Sequence, residues 1–337
     1  MGEQGRGLRA RADIVVARLM RPAYIYKSMG HVLQPLCLAA APCLALLVLT
    51  IGAPPALAEQ PDVVKIADGP AFSIIRGDKL FEAAKGAQLL AGDFIETQPG
   101  SFAVADLPGG TFAVGPSTRL YLLGADTPTF VVLRGWLKLD AHPAGARTTH
   151  RALAMQLGAA ARQGVFVLHA AEHRDEVFQE SGALTLLVRD DAVTHSNPES
   201  KITQYFARED RKLTVAPRPS AAFIAEMPVQ FRDPLPEGPV GGANAKLTEP
   251  KLIREVSYAD VADWLTIPLE WRTGFVHRFR GRLKDRAFFS AMDAHLSSHP
   301  EWTVVLHPPP PPGEAGARKS ASPNSQPTEN ERGTEPP

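Results

Sequence analysis

The sequence predicts a mainly β protein of sandwich or roll type, followed by a small C-terminal helical domain and a disordered proline-rich tail. Three observations predict it. From Asp62 to about Asp190, short apolar runs alternate with period two and stop at Gly, Pro, Asp or Asn roughly every ten residues, the pattern of strands joined by tight turns. From Ser257 to Trp302 the apolar residues switch to helical spacing. From Pro308 a run of prolines leads into Ser-, Glu- and Asn-rich sequence, which has too few apolar side chains to bury a core.

Upstream of the strands, residues 1–58 read as a signal peptide. Arg6, Arg9, Arg11, Arg18, Arg21 and Lys27 outweigh Glu3 and Asp13, Leu36 to Ile51 is almost wholly apolar, and Ala56-Leu57-Ala58 follows Gly52-Ala53-Pro54-Pro55. A basic region, an apolar region and an A-x-A site, in that order, mark a secreted chain. The expected cut falls after Ala58, which places the mature protein in the periplasm or outside the cell. An uncleaved anchor is the second reading, but the run of about 16 residues is shorter than the ~20 that span a bilayer. Met20 or Met29 would give a more usual basic region than Met1. Cys37 and Cys43 both lie in this segment, and Ala41-Pro42 is a poor lipidation box. A mature chain from Glu59 has no thiol, which excludes disulfides, thiolate nucleophiles and Cys-ligated zinc. With 36 basic and 36 acidic residues the whole chain is formally neutral, so no global field points to nucleic acid.

The β domain is expected over 62–195. Phe72 to Arg76 ends at Gly77-Asp78, Leu89-Leu90 at Gly92-Asp93, and Phe94 to Thr97 before Pro99-Gly100. Phe102 to Ala105 ends at Pro108-Gly109-Gly110, Thr111 to Val114 at Gly115-Pro116, and Phe130 to Leu133 before Gly135. Glycine serves such turns because it tolerates positive φ. Asp93 reads as a turn residue bonding nearby backbone N–H groups, with a calcium or sugar ligand as the sharper alternative.

A spaced pattern in this half resembles the FecR domain family. It comprises Ile74-Ile75-Arg76-Gly77, Lys85-Gly86-Ala87-Gln88-Leu89, Leu90-Ala91-Gly92-Asp93-Phe94-Ile95-Glu96-Thr97 and Ser101 to Leu107. It continues through Gly110-Thr111-Phe112-Ala113-Val114-Gly115-Pro116-Ser117-Thr118-Arg119-Leu120, Leu133-Arg134-Gly135-Trp136-Leu137, Gly164 to Leu168, and Glu180-Ser181-Gly182-Ala183-Leu184-Thr185-Leu186-Leu187. The motif positions Gly77, Gly86, Leu89, Gly92, Asp93, Ile95, Thr97, Gly110, Thr111, Pro116, Thr118, Arg134, Gly135 and Gly182 are expected to be structural. Where the family commonly has Asp-Gly before the Thr111 position, this chain has Gly109-Gly110. The resemblance to this family also implies a membrane regulator that acts on a sigma factor through an inward-facing N-terminal domain. The residues before the apolar run show no helical domain, so what the resemblance carries over is the periplasmic β module.

Residues 196–250 are dense in Pro, Gly, Ser and Asn and are expected to be a linker, docked in part through Phe223, Ile224, Phe231 and Leu235. The helical domain is expected over 251–307. Ser257-Tyr258-Ala259-Asp260 resembles a capping box, Pro268 can open a second helix, and Asp285 can cap a third that carries Phe289, Met292 and Leu296. Trp302 to Leu306 is expected as an extended clasp, and 308–337 as the disordered tail. Arg272, Arg278, Arg280, Arg282 and Lys284 read either as a solvated outer face or as a face for an anionic partner.

No nucleophile elbow, P-loop, zinc-protease or dinucleotide fingerprint occurs. His169 and His173 are four apart, but His169 ends the strand Val165 to Leu168, so helical ligand spacing does not apply. No cofactor, metal or catalytic residue is expected. The expected function is a non-catalytic binding module of the cell envelope, with an envelope component, peptidoglycan, anionic polysaccharide or protein as partner and no nucleic acid. Trans-envelope signal relay and cell-wall glycan hydrolysis are the alternatives.

Overall fold

The computed structural model describes residues 62–124, 128–142, 148–190, 193–236 and 247–309. The expected signal peptide, and the expected tail beyond Pro309, lie outside the described residues. Sixteen strands form one mixed sheet. They are β1 Asp62–Asp68, β2 Phe72–Arg76, β3 Lys79–Ala83, β4 Gln88–Leu89, β5 Phe94–Glu96, β6 Phe102–Leu107, β7 Gly110–Val114 and β8 Arg119–Gly124. After these come β9 Thr129–Ala141, β10 His150–Leu153, β11 Leu157–Ala170, β12 Arg174–Asp190, β13 Val193–Ser196, β14 Gln204–Glu209, β15 Lys212–Ala216 and β16 Lys251–Glu255. The β9–β10 pair is parallel.

Three long strands fold this sheet onto itself. The first half of β9 pairs with β8 and β10, and its second half with β7 and β11. Strand β11 leaves β10 for β9 near Gly164, and β12 runs beside it through both layers. The corners fall at glycines in the left-handed region: Gly135 (φ 92°), Gly164 (φ 144°) and Gly182 (φ 75°). At Gly182 a Cβ would stand 2.3 Å from the Cα of Gly164, so the two backbones approach as only glycine allows. One layer is then β16-β3-β2-β5-β8 with the first half of β9 and β10, and the other is β1-β6-β7 with the second half of β9, β14 and β15.

Period-two alternation feeds an inner core and two outer ones. Ile74, Ile95, Leu120, Phe130 and Val132 of one layer meet Ala105, Phe112, Leu139, Phe166 and Phe206 of the other in the inner core. The Phe112 and Phe130 rings lie 4.8 Å apart across it. The neighbouring residues point outward. Ile75, Phe94, Tyr121 and Val131 pack against the C-terminal helices, while Phe102, Val104, Ala113, Trp136 and Val167 pack against a strap that carries Phe223, Phe231 and Leu235. The strap holds helix α1 (Ala221–Glu226), capped by Ser220, and a 3₁₀ turn at Val229–Phe231. Lys138, 1% exposed, secures it by donating to the carbonyls of Phe231 (2.8 Å) and Asp233 (3.0 Å) and pairing with Glu180.

The C-terminal region holds α2 Tyr258–Val261, α3 Leu269–Arg272, α4 Phe275–Phe279, α5 Arg286–Ala294 and α6 Thr303–Leu306. The capping box of Ser257 and Asp260 is present, Pro268 stands at the start of α3, and Asp285 accepts from the N–H groups of Ala287 and Phe288 to cap α5.

Three segments differ from expectation. The stretch 196–250, read as a linker, supplies β14, β15 and the strap, because its prolines flank the strands and do not interrupt them. The β14–β15 turn is Asp210-Arg211, both at positive φ (47° and 67°). That conformation joins tight hairpins, but it lacks the glycine that usually announces it. Of the four residues expected to dock, Phe223, Phe231 and Leu235 are buried and Ile224 is exposed. The stretch expected as a helical domain opens with β16, which pairs with β3. The clasp at Trp302 to Leu306 is a 3₁₀ turn and α6, which turn Trp302 and Leu306, four residues apart, into the same core.

Candidate binding trough

The motif residues are built into turns and contacts. Gly77 and Gly92 take positive φ in their turns. Gly86 is buried beside the outermost pairing of the sheet, its carbonyl accepting from Thr248 N. Asp93, 1% exposed, accepts from Arg76 Nε (3.0 Å) and Nη2 (2.7 Å) and from Leu90 N (2.9 Å). Its oxygens are thus engaged by internal donors, which is a turn role and not a ligand role. Leu89 and Ile95 lie in the inner core. Thr97 Oγ1 donates to the Gly115 carbonyl and accepts from Thr118 N, while Thr118 Oγ1 donates to the Pro116 carbonyl and accepts from Trp136 N. Thr111 Oγ1 donates to Asp106, Gly110 abuts the Asp140 carbonyl, and Arg134 reaches Glu96 at 3.3 Å on the surface.

The basic residues of the helical region do not share one outer face. Arg278 donates to the carbonyls of Ile75 (2.8 Å), Gly77 (2.7 Å) and Gly92 (2.5 Å) and lies 4.2 Å over the Phe94 ring. Burial pushes its pKa down to about 10. Arg272 is buried and bonds the Leu265 carbonyl and Glu301; Arg282 bonds the Val256 carbonyl, Glu255 and Asp285. Only Arg280 and Lys284 of the five are exposed. The physical reason is the shortness of α3 and α4. Helices of one turn cannot hold a common polar face, and guanidiniums reach the carbonyls left open at sheet turns.

His169 lies 2.9 Å from Glu176 and stacks on Trp136 with ring centroids 3.8 Å apart. Tyr205 donates to Glu176, and Arg174 pairs with it. Burial would raise Glu176, but the bonds from His169 and Tyr205 and the charge of Arg174 hold it below the usual carboxylate range. Phe223 of the strap packs against Trp136 and Tyr205, so this cluster is a covered polar network. His173 is exposed, and the described residues contain no group of three or more His, Cys, Asp or Glu placed to hold a metal.

The strap and the C-terminal helices cover two sectors of the outer surface. A third, over β10, the first half of β11, the second half of β12 and β13, is an open trough of 760 Å³. Its floor is low because Ala160, Gly182 and Ala183 present little or no side chain. Arg151 and Arg162 rise from β10 and β11. In the register Arg151 opposes Ala160 and His150 opposes Ala161, and just beyond them Thr149 accepts a bond from Arg162 Nε at 3.3 Å. The two arginines are therefore diagonal neighbours on one face, with backbones ~7 Å apart. Lys201 and Glu199 rise from the segment past β13, held against β12 by reciprocal backbone bonds between Leu184 and Ser200. Among the described residues neither arginine nor Lys201 has an ion-pair partner. Sequence reading did not find this site. Its residues come from segments some fifty positions apart, and the only local signal was the alternation that turns Arg151, Arg162 and Thr185 to one face.

No protein-family model matches the chain, and no curated protein matches it. Two solved structures, each described as a "putative anti-sigma factor from Parabacteroides distasonis ATCC 8503", are similar in part. One has 9% identity and a TM-score of 0.31 over 36% of this chain and 58% of that one; the other has 9% identity and a TM-score of 0.24 over 43% and 59%. The chain thus spans less than two-thirds of either neighbour.

Proposed function

We propose that the protein is an exported, non-catalytic binding module of the bacterial cell envelope. The observation that carries this reading is the division of the outer sheet surface. Two sectors are sealed by the chain's own strap and helices, and the third is left as a polar trough floored by strands. A recognition surface on strands is held more firmly than one on loops. The resemblance to FecR domains and the signal-peptide pattern support the envelope address.

The test begins with fractionation and N-terminal sequencing of the native protein. The expected result is a soluble product that starts at Glu59. The purified protein should then co-sediment with insoluble envelope polymer, peptidoglycan sacculi first, and release no soluble fragments. A membrane-bound product that retains Leu36 to Ile51 would overturn the address in favour of signal relay. Release of reducing ends from sacculi would overturn the non-catalytic reading.

A further inference from the structure

We infer that the trough over β10–β13 binds an acidic saccharide chain: a hydroxyl-rich polymer carrying repeated negative groups. The inference rests on the binding-module reading and gives that module a ligand. Charge is the first argument. Arg151, Arg162 and Lys201 face one cavity against the single carboxylate of Glu199, and no described carboxylate neutralises them. In a chain whose buried arginines are matched to carbonyls and carboxylates throughout, three unmatched cations around one concavity leave a site for anions from outside. Paired guanidiniums suit this task, because each offers a planar fork to a carboxylate or phosphate.

Spacing is the second argument. The arginines stand on one wall and Lys201 on the other, three strand spacings from Arg151 and two from Arg162, or ~10–14 Å across. One small anion cannot satisfy both walls, whereas a chain bearing several negative groups can. The third argument is the rest of the lining. Thr149, Gln163, Thr185 and Ser196 supply hydroxyl and amide groups for hydroxyl partners, and Leu187 is the one large apolar side chain. No aromatic ring lines the trough. Nucleobases would find no stacking platform, a neutral sugar would find no ring to lie on, and an acyl chain would find little apolar wall. Charge and hydroxyl bonding are what the trough offers, and an acidic glycan uses both.

The test measures binding of two probes to the purified protein by calorimetry: a hexamer of galacturonic acid, whose negative groups are carboxylates, and a galactose hexamer phosphorylated on its sugars, whose negative groups are phosphates. A neutral hexamer of galactose is the control. At least one charged probe should bind and weaken as salt is raised, which one identifying the source of the charge, and the neutral hexamer should not. Arg151→Ala with Arg162→Ala should weaken binding about tenfold or more, and Lys201→Glu should act from the opposite wall. Both arginines are exposed, so the double variant should melt with the unaltered protein. The inference is overturned if the neutral hexamer binds as well as the charged ones, if the double variant binds charged probes unchanged, or if no charged probe binds. Sacculus sedimentation separates the two readings. If the unaltered protein sediments but binds no charged probe, only the ligand assignment falls. If it does neither, the module reading falls with it.

Discussion

Asp175 sits in β12 with its carboxylate on the backbone N–H groups of Gln156 (2.5 Å) and Leu157 (3.1 Å). Burial raises its pKa to about 6, although those two bonds and the charges of His169 and Arg208 pull the other way. A carboxyl group whose folded pKa lies above its unfolded value binds more protons when folded, so stability falls as pH rises between about 4 and 6. Asp175 should therefore contribute about 1 kcal/mol more stability near pH 5 than near pH 7, against the opposite pull of His150 and His299, whose pKa values burial lowers. The difference between the unaltered protein and Asp175→Asn in urea unfolding at the two pH values reads that contribution. Glu176 works in the opposite sense and at lower pH, since its depressed pKa removes stability only as acid protonates it. At Asp93 the expectation is simpler. Asp93→Ala leaves Arg76 without its bidentate partner and Leu90 N without an acceptor. The loss should be about 2–3 kcal/mol, read as a lower urea midpoint.

Among elements, the β11–β12 ribbon carries most of the architecture, because it serves both layers and forms part of the trough floor. Gly182→Ala places a methyl group against the Gly164 backbone at a positive φ and should cost about 2 kcal/mol or more. If the corner also shapes the trough, the same variant should weaken probe binding while Arg151 and Arg162 remain. The ribbon's strands were legible from alternation, and the caps at Ser257 and Asp285 from residue type and spacing. Strands β14 and β15 were not, because an Asp-Arg turn gives no glycine signal. The roles of Arg272, Arg278 and Arg282 were hidden too. Whether a guanidinium meets solvent or a carbonyl depends on what packs beside it, and sequence near Arg278 does not reveal Ile75, Gly77 or Gly92.

For the whole molecule, the helices are a cover and not a separate body. Trp264, Phe275 and Phe279 share a core with Phe94, Tyr121 and Val131, and Arg119 ties the β side to Asp263 and the Asp260 carbonyl. A fragment covering 257–309 should show little helix by circular dichroism, since helices of four to nine residues lack intrinsic stability. Arg278→Ala should raise amide exchange in α4 and α5 before it lowers the melting temperature of the sheet, because three carbonyl bonds and the contact with Phe94 are lost at one point. The alternation of 62–190 revealed the strands; which outer sector each would face was settled only by pairings across the chain.

The junction of β3 with β16 also sets an order in time. Lys79 pairs with Glu255 and Glu82 with Lys251, so the edge of β3 stays open until the chain has been made as far as residue 255. Until the helices that follow have also emerged, Phe94 and Tyr121 have nothing to cover them. A nascent chain in that interval presents an unpaired strand beside aromatic rings, the combination most prone to wrong association. Contacts this distant in sequence also close slowly. The last third of the chain therefore decides how long the first third keeps an open edge and uncovered rings.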